Sequence, residues 1–226
     1  MSPIRRVWVT RAEPGATRSA ARLTALGYEP VVASLLAIRP LARPAPDLEG
    51  VAALAFTSRN GVAAFAALSD ARSLPVFAVG DATAAAARAA GFATVRSAGG
   101  ALEDLARLLT TAAPTGGAVL APGALEPAGD LPAMMAGRVE VRPLPLYEAV
   151  ATGTAAPAGF DAVLVHSPRA GRALAELGPF AGQAAVAISA AAAAALASGS
   201  GLEIRIAARP DEPALFEALG KPSPRV

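Results

Sequence analysis

Apolar residues in this chain fall into short β-branched runs, each followed by a stretch of helical spacing that opens on a small or polar residue. Strands are predicted at Val7-Trp8-Val9, Pro30-Val31-Val32, Ala53-Leu54-Ala55-Phe56, Val76-Phe77-Ala78-Val79, Val119-Leu120, Val139-Glu140-Val141, Ala162-Val163-Leu164-Val165, Val186-Ala187-Ile188 and Ile204-Arg205-Ile206. Strand alternating with helix predicts an α/β fold with parallel sheets.

The pattern repeats. Ala53-Leu54-Ala55-Phe56-Thr57-Ser58-Arg59 lies 109 residues before Ala162-Val163-Leu164-Val165-His166-Ser167-Pro168, and the same shift lays Val76-Phe77-Ala78-Val79-Gly80 on Ala185-Val186-Ala187-Ile188-Ser189. At a shift of 111, Val7-Trp8-Val9 meets Ala118-Val119-Leu120, and Ser34-Leu35-Leu36 meets Pro145-Leu146-Tyr147. Near 110, Leu105 and Leu109 meet Leu215 and Leu219. A period above 100 residues is too long for a solenoid, so the copies are domain-sized. Arg39 to Pro46 and Ala151 to Gly159 are rich in proline or small residues and read as extended linkers. They interrupt the copies at matching places and do not separate them. Each copy either folds on itself or exchanges its first strand-helix-strand unit with the other, and linkers at those positions suggest exchange.

Composition narrows the chemistry. With 54% hydrophobic and 17% charged residues, the 226-residue chain can bury a sizeable core, and disorder is excluded as its main state. It has no cysteine and one histidine, His166, so disulfides, thiolate nucleophiles, thiolate zinc sites and multi-histidine metal sites are excluded. The one lysine, Lys221, sits beside Pro222-Ser223-Pro224, a poor setting for a Schiff base. The net charge of +2 comes without a basic run, so no nucleic-acid partner is expected. Neither a signal peptide after Met1-Ser2-Pro3 nor a membrane span is expected, since the nearly apolar stretch Ala184 to Ala197 is too short to cross a bilayer. A cytoplasmic protein follows from these expectations.

In open parallel sheets, ligands bind beyond the carboxyl ends of the strands. Those ends read Thr10-Arg11, Thr57-Ser58-Arg59-Asn60-Gly61, Gly80-Asp81-Ala82-Thr83, Ala121-Pro122-Gly123, His166-Ser167-Pro168-Arg169 and Ser189-Ala190-Ala191. Hydroxyls, glycines and arginines dominate, and free backbone N–H groups at helix starts favour an anion, so a polyanionic or carboxylate-rich ligand is expected. Ser58 and Ser167 also suit helix capping. His166 stands where the other copy has Thr57. Gly99-Gly100 reads as a turn or an anion site. No GxGxxG or Walker sequence occurs, so nicotinamide, flavin and nucleoside triphosphate are not supported.

Thr57-Ser58-Arg59-Asn60-Gly61-Val62-Ala63-Ala64-Phe65 resembles the uroporphyrinogen-III synthase family. So do Val9-Thr10-Arg11, Gly27-Tyr28-Glu29-Pro30-Val31-Val32, Val79-Gly80-Asp81-Ala82-Thr83-Ala84, Leu146-Tyr147-Glu148 and Arg209-Pro210-Asp211, in that order from about Val7 to Leu219. The resemblance implies two flavodoxin- or Rossmann-like parallel-sheet domains with the first unit exchanged, joined by two extended linkers and flanking a cleft. The domains would be residues 1–38 with 150–226, and residues 39–149, with linkers at about 39–50 and 149–160. It further implies that hydroxymethylbilane, a linear tetrapyrrole bearing eight carboxylates, loses water and closes with inversion of its last pyrrole ring through a spiro intermediate. No cofactor or metal is implied. The expected partners are this substrate and, transiently, the preceding pathway enzyme, with the protein a monomer. Tyr147 matches the family's tyrosine and is the catalytic candidate, either as a weak acid toward the departing hydroxyl or as a residue that packs against or orients the substrate. Expected substrate contacts are Thr10, Arg11, Thr57, Ser58, Arg59, Asn60, Gly80, Thr83, Ser167, Arg169 and Ser189. The chain departs from the family where Ser189-Ala190-Ala191-Ala192 stands in place of a second GxxT-like start. A periplasmic-receptor-type binding module and a catalytically inert tetrapyrrole binder are the competing readings.

Overall fold

Each predicted run overlaps a strand in the computed structural model, which describes residues 4–222, although of Val139-Glu140-Val141 only Val141 is in one. Met1-Ser2-Pro3 of the leader reading, and Ser223 and Pro224 after Lys221, lie outside the described residues. In chain order the elements are β1 (Arg6–Val9), α1 (Gly15–Ala25), β2 (Glu29–Val32), β3 (Leu36–Pro40), β4 (Val51–Phe56), α2 (Arg59–Leu68), β5 (Val76–Ala78), α3 (Asp81–Ala89), β6 (Val95–Ser97) and α4 (Leu102–Ala112). They continue with β7 (Ala118–Ala124), α5 (Leu131–Met135), β8 (Val141–Ala151), β9 (Ala162–Val165), α6 (Pro168–Ala175), β10 (Ala184–Ala187), α7 (Ala190–Ala193), β11 (Glu203–Ile206) and α8 (Glu212–Glu217).

The chain divides into two compact units. Unit 1 comprises residues 1–38 and 149–226, and unit 2 residues 39–148. The sheet of unit 1 has the order β2-β1-β9-β10-β11, all parallel. Unit 2 repeats it as β8-β7-β4-β5-β6, also parallel, with β3 added outside β8. The sequence repeat matches β1 with β7, β2 with β8, β4 with β9, β5 with β10 and β6 with β11, so the two orders are the same order. Each sheet takes its outer strand pair from one copy and the remaining three strands from the other. This is the expected exchange, and in each unit it produces the doubly wound order 2-1-3-4-5.

Period-two burial on both faces holds the sheets between helical layers. In unit 1, Val7, Val9 and Leu164 face one core with Leu23, Leu215 and Phe216, while Trp8, Val163 and Val165 face another with Leu174 and Leu196. In unit 2, Ala53 and Ala55 face Leu105, Leu109 and Met135, while Leu54 and Phe56 face Phe65 and Phe92. Each fully buried large side chain contributes roughly 1.5–3 kcal/mol. Trp8 resolves its polar edge by donating its indole N–H to the Ala33 carbonyl at 2.7 Å.

One element is longer than its sequence signal. The apolar pattern predicts only Val139-Glu140-Val141 here, and Pro143 and Pro145 follow it, yet Val141–Ala151 is a single strand that also takes in Leu146-Tyr147-Glu148. Proline is compatible with extended φ, and the pairing with β7 continues past both residues.

Candidate active site

Because all five shared strands of unit 2 run parallel, their carboxyl ends share one edge, and the loops there lead into helices. Ser58 follows β4 and is the N-cap of α2, its Oγ accepting the Gly61 N–H at 3.0 Å. On β8, the ladder with β7 shifts between Gly123 and Ala124, so that Gly123 pairs with Pro145 and Ala124 with Tyr147. A bulge of this kind re-aims the following side chain. Tyr147 is 7% exposed, and its phenolic oxygen lies 2.9 Å from Ser58 Oγ, although β7 separates their strands in the sheet. Burial pushes the Tyr147 phenol above its usual pKa, and the hydrogen bond with Ser58 opposes that rise.

Close packing of α2 on β7 makes this contact possible. A Cβ at Gly61 would come within 2.6 Å of the Pro122 carbonyl oxygen, a backbone atom that cannot step aside. Gly61→Ala is therefore expected to destabilise unit 2 by about 1–3 kcal/mol, read from denaturant unfolding, and to lower activity by moving Ser58 away from Tyr147.

The remaining expected contacts of unit 2 occupy the same edge. Thr57 is exposed just beyond β4, while Arg59 and Asn60 are half-buried in the first turn of α2. Gly80 is the N-cap of α3, and Thr83, 6% exposed, lies in its first turn. A Cβ at Gly80 would meet Gly100 Cα at 3.2 Å, so the Gly99-Gly100 turn closes directly over this helix start.

The carboxyl edge of unit 1 presents Ser167 and Ser189 on neighbouring strands. Ser167 caps α6 by accepting the Ala170 N–H at 3.2 Å, and Ser189 caps α7 by accepting the Ala192 N–H at 3.3 Å. Arg169 donates to the Ala149 carbonyl at 2.9 Å. Two expected contacts serve the fold instead. Thr10 is fully buried and donates its hydroxyl to the Leu164 carbonyl at 2.6 Å, which locks β1 to β9 and leaves a ligand no access to it. Arg11 is turned onto Glu212 at 2.8 Å and also donates to Ser19 at 3.3 Å. Burial lowers the pKa of its guanidinium, and the Glu212 carboxylate opposes that.

Glu212 is the residue that pattern reading missed. Its carboxylate opens α8, with a side chain 14% exposed, and receives Arg11, the Ser19 hydroxyl and Arg22 at 2.5 Å. His166 Nε2 lies 3.8 Å away, so the single imidazole is folded against this carboxylate, while Thr57, at the matching place in unit 2, is exposed. Asp211-Glu212-Pro213 announces a helix start, with Asp211 accepting the Ala214 N–H at 2.8 Å. Nothing local announces that the next carboxylate turns inward.

Among known families, the model described as uroporphyrinogen-III synthase HemD matches residues 17–217. The chain belongs to the uroporphyrinogen-III synthase family. Solved structures agree in fold. Uroporphyrinogen-III synthetase from Helicobacter pylori 26695 is similar over 95% of this chain and 97% of that one, with a TM-score of 0.65 at 19% identity. A mutant uroporphyrinogen III synthase from the extremely thermophilic bacterium Thermus thermophilus is similar over 94% and 96%, with a TM-score of 0.56 at 19% identity. No curated protein matches the chain. The protein is thus a lyase of tetrapyrrole biosynthesis, with the family's two-unit α/β architecture. Among the described residues no helix is long and apolar enough to cross a membrane, and no three metal-ligating side chains gather. The departure from the family at Ser189 to Ala192 leaves one hydroxyl at that strand end, since Ala192 stands where unit 2 has Thr83.

Proposed function

We propose that the protein dehydrates and cyclises hydroxymethylbilane to uroporphyrinogen III, with Tyr147 as the acid. The observation that carries this reading is the buried phenol of Tyr147 held 2.9 Å from Ser58 at a strand-end edge of capped helix starts. The substrate's carboxylates are taken up by the hydroxyls, guanidinium groups and backbone amides at the strand ends: Thr57, Arg59, Asn60, Gly80 and Thr83 in unit 2, and Ser167, Arg169 and Ser189 in unit 1, while the Ser58 hydroxyl is engaged with Tyr147. This remote binding energy orients the reacting carbon.

The phenol donates its proton to the departing hydroxyl, the carbon–oxygen bond breaks, and water leaves an azafulvene cation. The last ring attacks through its substituted carbon to give the spiro intermediate, which fragments and recloses with that ring inverted. The proton expelled as the final pyrrole regains aromaticity restores the phenol, so the net change is loss of one water. Without the enzyme the same substrate closes to the uninverted type I isomer, so the chain's main contribution is conformational. The enzyme is read as monomeric and cytoplasmic, and the substrate's instability favours its receipt in transient contact with the preceding pathway enzyme.

Incubating the purified protein with freshly generated hydroxymethylbilane and resolving the product isomers tests the reading. Predominantly type III product is expected. Type I alone, as in buffer, overturns the activity and leaves a tetrapyrrole binder.

A further inference from the structure

The internal repeat lets one unit serve as a control for the other. Ser58 in unit 2 corresponds to Ser167 in unit 1, and both cap the helix that follows the central strand. Tyr147 corresponds to Leu36, which is buried in the apolar core with Trp8 and Phe160. The hydroxyl–phenol pair therefore exists in unit 2 alone, although both copies keep the serine.

We propose that Ser58 is a positioning residue for Tyr147: it donates its hydroxyl proton to the phenolic oxygen, turning the Tyr147 O–H toward the substrate and stabilising the phenolate left when that proton departs. Unit 2 does the chemistry, and unit 1, with Leu36 in the phenol's place, only binds. The inference rests on the Tyr147 acid reading and adds the direction of the bond.

Geometry at Ser58 supports that direction. Its oxygen already accepts the Gly61 N–H at 3.0 Å, from the positive end of the ten-residue helix α2. Accepting a hydrogen bond draws electron density from the oxygen and makes its own O–H a better donor, while a second acceptance at the same atom is weakened. The phenol is the partner at 2.9 Å. The lowering effect of Ser58 on the phenol's pKa has the same sign, because donation to the oxygen favours the phenolate. Ser167, which caps α6 in the same way, keeps its hydroxyl proton for a ligand.

The chain has two tyrosines, and this makes the test direct. Tyr28 donates its hydroxyl to the Gly220 carbonyl, away from the strand-end edge, so Tyr28→Phe leaves Tyr147 as the single titrating phenol and leaves the reaction unchanged. In that background, titration of tyrosine labelled with carbon-13 at Cζ reports Tyr147 alone. Ser58→Ala is expected to raise the Tyr147 midpoint by about one pH unit, equivalent to tenfold, and to lower kcat about tenfold with KM within about twofold. Ser58→Gly, which retains most of the capping stability, is expected to do the same, and Ser58→Thr to restore both. A midpoint that falls or stays put in Ser58→Gly shows that the phenol donates to Ser58 or is indifferent to it, and overturns the inference. Failure of the acid reading shows separately, as full activity in Tyr147→Phe whatever the titration does.

Discussion

Tyr147→Phe is expected to slow formation of the type III isomer tenfold or more and to shift the product toward type I. Phenylalanine fills the same 7%-exposed site on β8, so the change removes the hydroxyl and little else. Loss of the hydrogen bond with Ser58 costs about 1 kcal/mol of stability, too little to unfold the protein. The larger effect is on the barrier, because general-acid assistance is typically worth about 10²–10⁴-fold and water can replace only part of it. Uncatalysed closure of the substrate then competes, so isomer ratio and rate fall together. Burial raises the phenol's pKa against the lowering effect of Ser58. The acid form therefore persists through the neutral range, and wild-type activity should fall only above about pH 10, as Tyr147 ionises. Isomer separation across a pH series checks both statements, and an unchanged rate and type III yield in Tyr147→Phe would remove the acid role.

Glu212→Ala is expected to destabilise unit 1 by about 3 kcal/mol, the cost of leaving a largely buried guanidinium without its carboxylate. Burial alone would raise the Glu212 pKa, but His166, the Ser19 hydroxyl and Arg11 outweigh it and hold the carboxyl at about 2, against an ordinary 4.5. A depressed carboxylate pKa contributes stability that is fully present above the unfolded value. It is lost as pH falls through the folded one, so wild-type stability should decline between pH 4.5 and about 2. The difference corresponds to roughly 3 kcal/mol, the same order as the loss expected for Glu212→Ala. Glu212→Ala should flatten that acid limb and lower the unfolding temperature by roughly 5–10 °C near neutral pH. Glu212→Gln keeps the shape and a polar contact for Ser19 but drops the charge, and should fall between. Thermal unfolding followed from pH 2 to 8 reads all three proteins; equal pH dependence in wild type and Glu212→Ala would show that the carboxylate does not link these elements.

Much of this was legible along the chain, and the failures have a common cause. Ala53 to Phe56 and Ala162 to Val165 announced themselves as strands, and their 109-residue offset announced the duplication. Ser58, Ser167 and Ser189 were recognisable because capping is a local device, satisfied within three residues. Thr10 and Arg11 looked like ligand contacts because they follow a strand, but their partners, Leu164 and Glu212, are 154 and 201 residues away. No local pattern distinguishes a hydroxyl or guanidinium offered to a ligand from one turned into the fold.

Sequence by itself determined the strands, the helix starts, the repeat and the residue types at the carboxyl edges, because periodicity and capping are set by near neighbours. Only the tertiary structure decided that β1 and β2 join β9 rather than β4, that Ser58 meets Tyr147 across 89 residues, and that Glu212 gathers Arg11, Ser19, Arg22 and His166. These pairings depend on strand order, on a one-residue bulge and on how closely α2 sits on β7. Such distances of a few ångströms are set by packing the whole sheet.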